Sequence, residues 1–179
     1  MRYLETADLA KLFRTLHEHA SPKQHVLALT QFFTGSRIGQ VLALRGSDVR
    51  QYGNRWVIQI PAAKNGQDGL RDLHVDADPA FDMTPLIAMA QEAGDHKLFG
   101  GLDRRYFNRV LNKCAEMAGI IHVSSHTFRH SAAMIVMGET QRVGAVSQFL
   151  LHRSASSAYI YLQEVDGRHA QAAMNALKL

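Results

Sequence analysis

At 179 residues, with 46% apolar and 20% charged side chains, the chain has the balance of one folded domain and not that of a disordered segment. No apolar run approaches the ~20 residues that span a bilayer. The start, Met1-Arg2-Tyr3-Leu4-Glu5-Thr6, lacks a signal-peptide core, and the single cysteine, Cys114, excludes an intrachain disulfide, so a reducing cytoplasmic setting is expected. A net charge of +4 leans toward a polyanionic partner without identifying one.

Thr6 is read as the cap of a first helix whose apolar face is Leu9, Leu12, Phe13 and Leu16. Ser21-Pro22 starts a second helix, which runs through Val26, Leu27, Leu29, Phe32 and Phe33 to a stop at Gly35. A short third helix buries Ile38, Val41, Leu42 and Leu44. The pattern then turns to strand: Trp56-Val57-Ile58-Gln59-Ile60 is rich in strand formers, Leu73-His74-Val75 alternates, and Asn65-Gly66 and Asp68-Gly69 supply turn residues. A small antiparallel sheet of about three strands, with its turn near residues 65–69, follows from this reading. Helices are predicted again over about 80–93, 103–118, 125–137, 140–151 and 167–178. With no repeat, linker or low-complexity tract, residues 1–179 form a single domain, mainly α with a small antiparallel β-sheet (α+β).

Four separated segments carry reactive groups: Thr34-Gly35-Ser36-Arg37-Ile38-Gly39-Gln40 between two helices, Lys64 before the sheet's turn, His126-Thr127-Phe128-Arg129-His130, and the run from His152 to Tyr161. Together they fit metal-free phosphoryl transfer. Charge builds on two non-bridging phosphate oxygens, and the planar forks of Arg37 and Arg129 can bind those oxygens without losing charge. Lys64 can protonate a leaving oxygen, histidines can move protons near neutral pH, and a tyrosine activated in a cationic site can be the nucleophile.

These segments resemble the tyrosine recombinase (phage integrase) family from about residue 5 to the C-terminus. Thr34-Gly35-Ser36-Arg37 with Leu42-Ala43-Leu44-Arg45-Gly46-Ser47-Asp48-Val49 is similar to the first arginine box, and Lys64 to the β-hairpin lysine. His126 to His130 is similar to the HxxR-H box, and His152 with Tyr161 nine residues later to the closing box. The order Arg, Lys, HxxR, His, Tyr and the 23-residue step from Arg129 to His152 carry the likeness. It implies the family's catalytic-domain fold, with Arg37, Arg129 and His152 on the scissile phosphate and His126 assisting proton transfer. Lys64 would be the acid for the 5′-hydroxyl, and Tyr161 the nucleophile forming a 3′-phosphotyrosyl link. The implied activity is site-specific recombination: integration, excision, inversion or resolution. It needs neither metal nor other cofactor, because the enzyme–DNA ester conserves the bond energy. Implied partners are double-stranded DNA, other protomers in a synaptic tetramer and accessory DNA-bending proteins.

Two positions depart from the family pattern. Gln40 stands where an acidic residue is usual, and is expected to orient Arg37 without charge. Leu151 replaces the glycine before His152 and is expected to resist a left-handed backbone, reshaping that turn. His130 is expected beside the reacting groups. Tyr159 competes with Tyr161 for the nucleophile's place, but neighbours two apart on a helix point in different directions, and the spacing from His152 selects Tyr161. His126 and His130 also have a metal-ligand spacing, yet no glutamate follows His126 as in the zincin motif and no second cysteine accompanies Cys114. Arg45, Arg71, Arg104, Arg105, Arg109 and Lys113 are candidate DNA-backbone contacts. The helix at 167–178 packs on its own domain or docks on a neighbouring protomer. No part of residues 1–179 is expected to form the family's usual N-terminal core-binding domain, which suits either a fragment or a minimal member. A DNA-binding regulator with this fold but weak catalysis, and a type IB topoisomerase-like enzyme, are the competing readings.

Overall fold

The computed structural model describes residues 3–62 and 67–176, with side chains described as far as Gly167. Lys64, with Asn65 and Gly66 of the turn expected at 65–69, lies outside the described residues. Eight α-helices and a three-stranded antiparallel sheet are described: α1 Thr6–His19, α2 Pro22–Thr34, α3 Ile38–Ala43, β1 Val49–Tyr52, β2 Arg55–Ile60, β3 Gly69–Asp72, α4 Pro85–Ala93, α5 Arg104–Met117, α6 Ser125–Thr140, α7 Val143–Phe149 and α8 Tyr159–Ala176.

The first helices form for the reasons their sequence suggests. Leu9, Leu12, Phe13 and Leu16 recur at helical spacing and are buried together, although Glu5 and not Thr6 holds the cap position of α1. Ser21 and Gln24 exchange hydrogen bonds across the start of α2: the Gln24 amide donates to Ser21 Oγ at 3.3 Å and the Ser21 amide to Gln24 Oε1 at 2.9 Å. Gly35, at φ 63°, ends that helix in the left-handed conformation glycine permits. A Cβ at Gly35 would also lie 2.5 Å from the Phe149 ring, so the residue is doubly bound to be glycine.

The sheet departs from the expectation at both edges. Its order is β1-β2-β3, with Ile58 in the central strand opposite Val49 and Arg71. The third strand is Gly69–Asp72, and Leu73-His74-Val75 lies beyond it. Both flanking strands are mostly solvent-facing, with Val49 alone buried in β1 and Gly69 in β3. Pairing with β2 defines them, so neither advertises itself by apolar alternation.

Helix boundaries shift for local reasons. Residues 76–84 are not helical, because Asp78 accepts from the Ala80 amide at 3.0 Å and Asp82 from the Thr84 amide at 3.2 Å, turns that delay α4 until Pro85. The helix expected at 140–151 is confined to Val143–Phe149, since left-handed Gln141 closes α6. The helix expected at 167–178 instead begins at Tyr159 and passes through Gly167, so Tyr161 sits on its first turn. An interior glycine costs a helix only about 1 kcal/mol, too little to stop one that is packed.

Most of the core lies among α1, α2, α4, α5 and the sheet, with Phe13 stacked on Phe128 of α6. A smaller cluster of Ala133, Met134, Met137, Val146, Leu150, Ala158, Tyr161 and Val165 joins α6, α7 and α8. α6 belongs to both, and this places its polar residues at the junction.

Leu151 corrects an expectation outright. It adopts the left-handed backbone, at φ 54°, despite its side chain. That conformation costs a non-glycine residue roughly 1–2 kcal/mol. Burial of the leucine side chain in the main core offsets it.

Candidate active site

Arg129 organises the centre. It leaves α6 almost wholly buried, 3% exposed, and its guanidinium reaches two turns that are distant in sequence. Nη1 donates to the Gly35 carbonyl, and Nη2 donates to the Leu150 carbonyl at 3.1 Å and to His152 Nε2 at 2.8 Å. Burial foremost, and then Arg37, pull its pKa down to about 10, so it stays charged at neutral pH. Because Gly35 closes α2 two residues before Arg37, one side chain sets the Arg37 turn against the His152 turn.

This contact also decides the state of His152. Arginine only donates, so Nε2 must accept and the imidazole is neutral with its proton on Nδ1. Nδ1 lies 2.9 Å from Ser157 Oγ, which in turn donates to the Ser154 carbonyl at 3.4 Å. Burial first, then Arg129 and Arg37, lower the His152 pKa to about 4. In the unfolded chain the imidazole takes up a proton near 6.5, whereas the folded form resists it until about 4. The group's contribution to stability is therefore present above about pH 6.5 and lost as pH falls toward 4. Urea midpoints should fall between pH 7.5 and pH 5, and fall less steeply in His152→Asn. Equal slopes would show that His152 does not carry this effect.

Tyr161 and Tyr159 separate cleanly. Tyr161 points inward, 8% exposed, whereas Tyr159 is 55% exposed. Burial raises the Tyr161 pKa, Arg129 and Arg37 oppose that rise, and Glu164 adds to it. Beside the phenol lies His130, 1% exposed, with ring centroids 5.2 Å apart and its Nε2 3.3 Å from Glu164 Oε2. His130 thus joins α6 to α8.

Arg37 and His126 stand in the wall of a cavity of about 580 Å³, with Gln40, Pro61, Arg104 and Ser125. Burial first, then Arg129, His130, Arg37 and Arg104, lower the His126 pKa, which favours a neutral proton acceptor. Gln40 orients the backbone of Arg37: its Oε1 accepts from the Arg37 amide at 3.1 Å while its Nε2 donates to the Pro61 carbonyl at 2.7 Å.

The basic candidates divide. Arg104 joins the cavity beside Arg37, and Arg105 is exposed on the same helix, α5. Arg109 and Lys113 line a separate cavity of about 410 Å³, where Arg109 sits 5.5 Å over the Tyr106 ring. Arg45 donates to the Asp95 carbonyl. Arg71 is half-buried and donates to the Gln148 and Phe149 carbonyls at 3.1 and 2.9 Å, clamping the C-terminal end of α7, so it serves the fold. Ser157 and Glu164 escaped the sequence reading, because nothing in a run of serines or on a helix surface marks a partner for a distant histidine. Among the described residues, no three His, Cys, Asp or Glu side chains gather to hold a metal. No helix among them is long and apolar enough to cross a membrane.

The chain matches the Phage integrase family over residues 2–168. It is 27% identical over 158 residues to tyrosine recombinase XerD of Rhizobium meliloti (strain 1021), covering 83% of this chain and 50% of that protein. It is 30% identical over 139 residues to tyrosine recombinase XerC of Corynebacterium efficiens, covering 73% of this chain and 43% of the relative. The chain thus spans about half the length of the curated relatives it matches. Among solved structures, XerH site-specific recombinase bound to its difH substrate in a pre-cleavage complex superposes with a TM-score of 0.73 at 22% identity, over 89% of this chain and 50% of that one. A lambda integrase tetramer bound to a Holliday junction gives a TM-score of 0.64 at 14% identity, over 87% of this chain and 48% of that one. At such identities these superpositions establish the shared fold.

Proposed function

The chain belongs to the phage integrase family, and from that premise we propose that it catalyses site-specific DNA recombination through a covalent link at Tyr161. One observation carries the reading: the buried Arg129 guanidinium ties together the turns bearing Arg37 and His152, on the helix against which the Tyr161 ring is packed. A phosphodiester placed among these groups meets fixed positive charge where its transition state builds negative charge.

In the proposed step the Tyr161 oxygen bonds to phosphorus while the bond to the 5′-oxygen breaks. The phenolic proton passes to a neutral base, for which His126 is the candidate. Lys64, outside the described residues, keeps its expected role of protonating the 5′-oxygen. Arg37 presents an exposed guanidinium to the phosphate. Arg129 already engages three of its five N–H groups with Gly35, Leu150 and His152, and its remainder supplements Arg37. A second transfer, by a 5′-hydroxyl from another strand, would reverse the ester and exchange partners.

DNA is the proposed substrate, bound through the cavity rim and the exposed cations Arg104 and Arg105. Other protomers are proposed partners, as in the lambda integrase tetramer, with the α8 segment from 167 onward as the contact and with accessory DNA-bending proteins. The proposed setting is the cytoplasm. The test is a nicked suicide substrate from flanking DNA, on which one strand is trapped after cleavage. A covalent adduct that survives denaturation and chelator is expected. Tight binding with no adduct on any substrate would replace this reading with that of a regulator.

A further inference from the structure

The two departures from the family pattern, Gln40 and Leu151, meet the same structural element. Gln40 reaches Pro61, directly after β2, and Leu151 reaches the beginning of β3. The Leu151 carbonyl accepts from the Gln67 amide at 3.0 Å, and its side chain lies over Gly69 so closely that a Cβ there would be 2.5 Å from Leu151 Cδ2. Gly69 pairs with Ile60 in the β2–β3 ladder. The hairpin is therefore fastened on one strand to the Arg37 turn and on the other to the His152 turn. Arg71 adds a third tie, from β3 to the last carbonyls of α7.

We infer that Gln40 and Leu151 are positioning residues that use the β2–β3 hairpin as a strut to set Arg37 and His152 at the spacing one phosphate requires. This rests on the recombinase reading of those two side chains. The chemistry at residue 40 is specific. One partner is a pure donor, the Arg37 amide, and the other a pure acceptor, the Pro61 carbonyl. Only a group with both an acceptor and a donor bridges them, and an amide has both. A carboxylate would keep the first bond and set its second oxygen against the Pro61 carbonyl. The residue the family usually carries is thus the wrong one here. The same logic holds at residue 151: glycine would relieve the left-handed backbone but remove the side chain that fills the space over Gly69. Each departure is matched to a neighbour in this chain.

The experiment measures single-turnover adduct formation on a nicked suicide substrate, at saturating DNA and at a temperature where every variant is folded. Gln40→Glu and Leu151→Gly should each slow it roughly ten- to a hundred-fold with DNA affinity unchanged, the scale of a misplaced reacting group. Gly69→Ala should be slow alone, and faster when combined with Leu151→Gly, which opens the space its methyl needs. A purely structural defect would lower melting temperature while leaving the single-turnover rate of the folded variants unchanged. Gln40→Glu at or above the wild-type rate, or a Gly69→Ala penalty unchanged by Leu151→Gly, would overturn the inference. If the wild type forms no adduct on any substrate, the recombinase reading fails by itself. Hydrogen exchange at the Arg37 and Gln67 amides in Gln40→Ala and Leu151→Gly then decides: faster exchange supports the strut, and unchanged exchange refutes it.

Discussion

Replacing Tyr161 with phenylalanine is expected to abolish covalent attachment to DNA, a loss of at least about 10³-fold, while DNA binding and melting temperature stay near wild type. The substitution removes one oxygen from a ring that is already packed with Met134, Met137, Val146 and Leu150, so the fold has little reason to respond. Tyr159→Phe should leave the adduct intact, because that side chain faces solvent. The readout is a denaturing gel of labelled suicide substrate with each variant. An adduct persisting in Tyr161→Phe would remove Tyr161 from the reaction and direct attention to a nucleophile elsewhere.

Arg129→Lys is expected to fail despite keeping the charge. The arginine fork serves the Gly35 carbonyl, the Leu150 carbonyl and His152 at once, and a lysine on a flexible stem cannot reproduce that planar spread. Each buried carbonyl left without its donor costs about 1–3 kcal/mol. A domain of this size loses roughly 2–4 °C of melting temperature per kcal/mol. A fall of several degrees should therefore accompany a drop in cleavage of about 10²-fold or more, since the Arg37 and His152 turns lose their common anchor. Burial, the largest cause, and the charge that lysine keeps still hold the His152 pKa low, so a rise from about 4, followed by NMR, reports the lost Nε2 contact alone. A variant with wild-type melting, cleavage and His152 titration would show that Arg129 does not organise the site.

Much of this was legible in the chain itself. The apolar spacing of Leu9, Leu12, Phe13 and Leu16, the capping pair Ser21 and Gln24, and the stop at Gly35 are local signals, and local physics satisfies them. The strands β1 and β3 were not legible in that way, because pairing with β2 and not their own pattern makes them strands. The start of α8 was also hidden, since Gly167 suggested a boundary where packing of Tyr161 and Val165 carries the helix through.

The candidate site divides along the same line. The identities and order of Arg37, Arg129, His152 and Tyr161 were determined by sequence alone, because a reaction needs particular functional groups and their spacing survives in the chain. Only the tertiary structure decided what those groups are bonded to. It turned Arg129 inward onto two carbonyls and placed the proton of His152 on the side of Ser157. It held Leu151 in a backbone conformation that its own side chain disfavours. Each of these depends on a partner from 21 to 94 residues away or on a neighbour's missing Cβ, and no local pattern encodes such a partner.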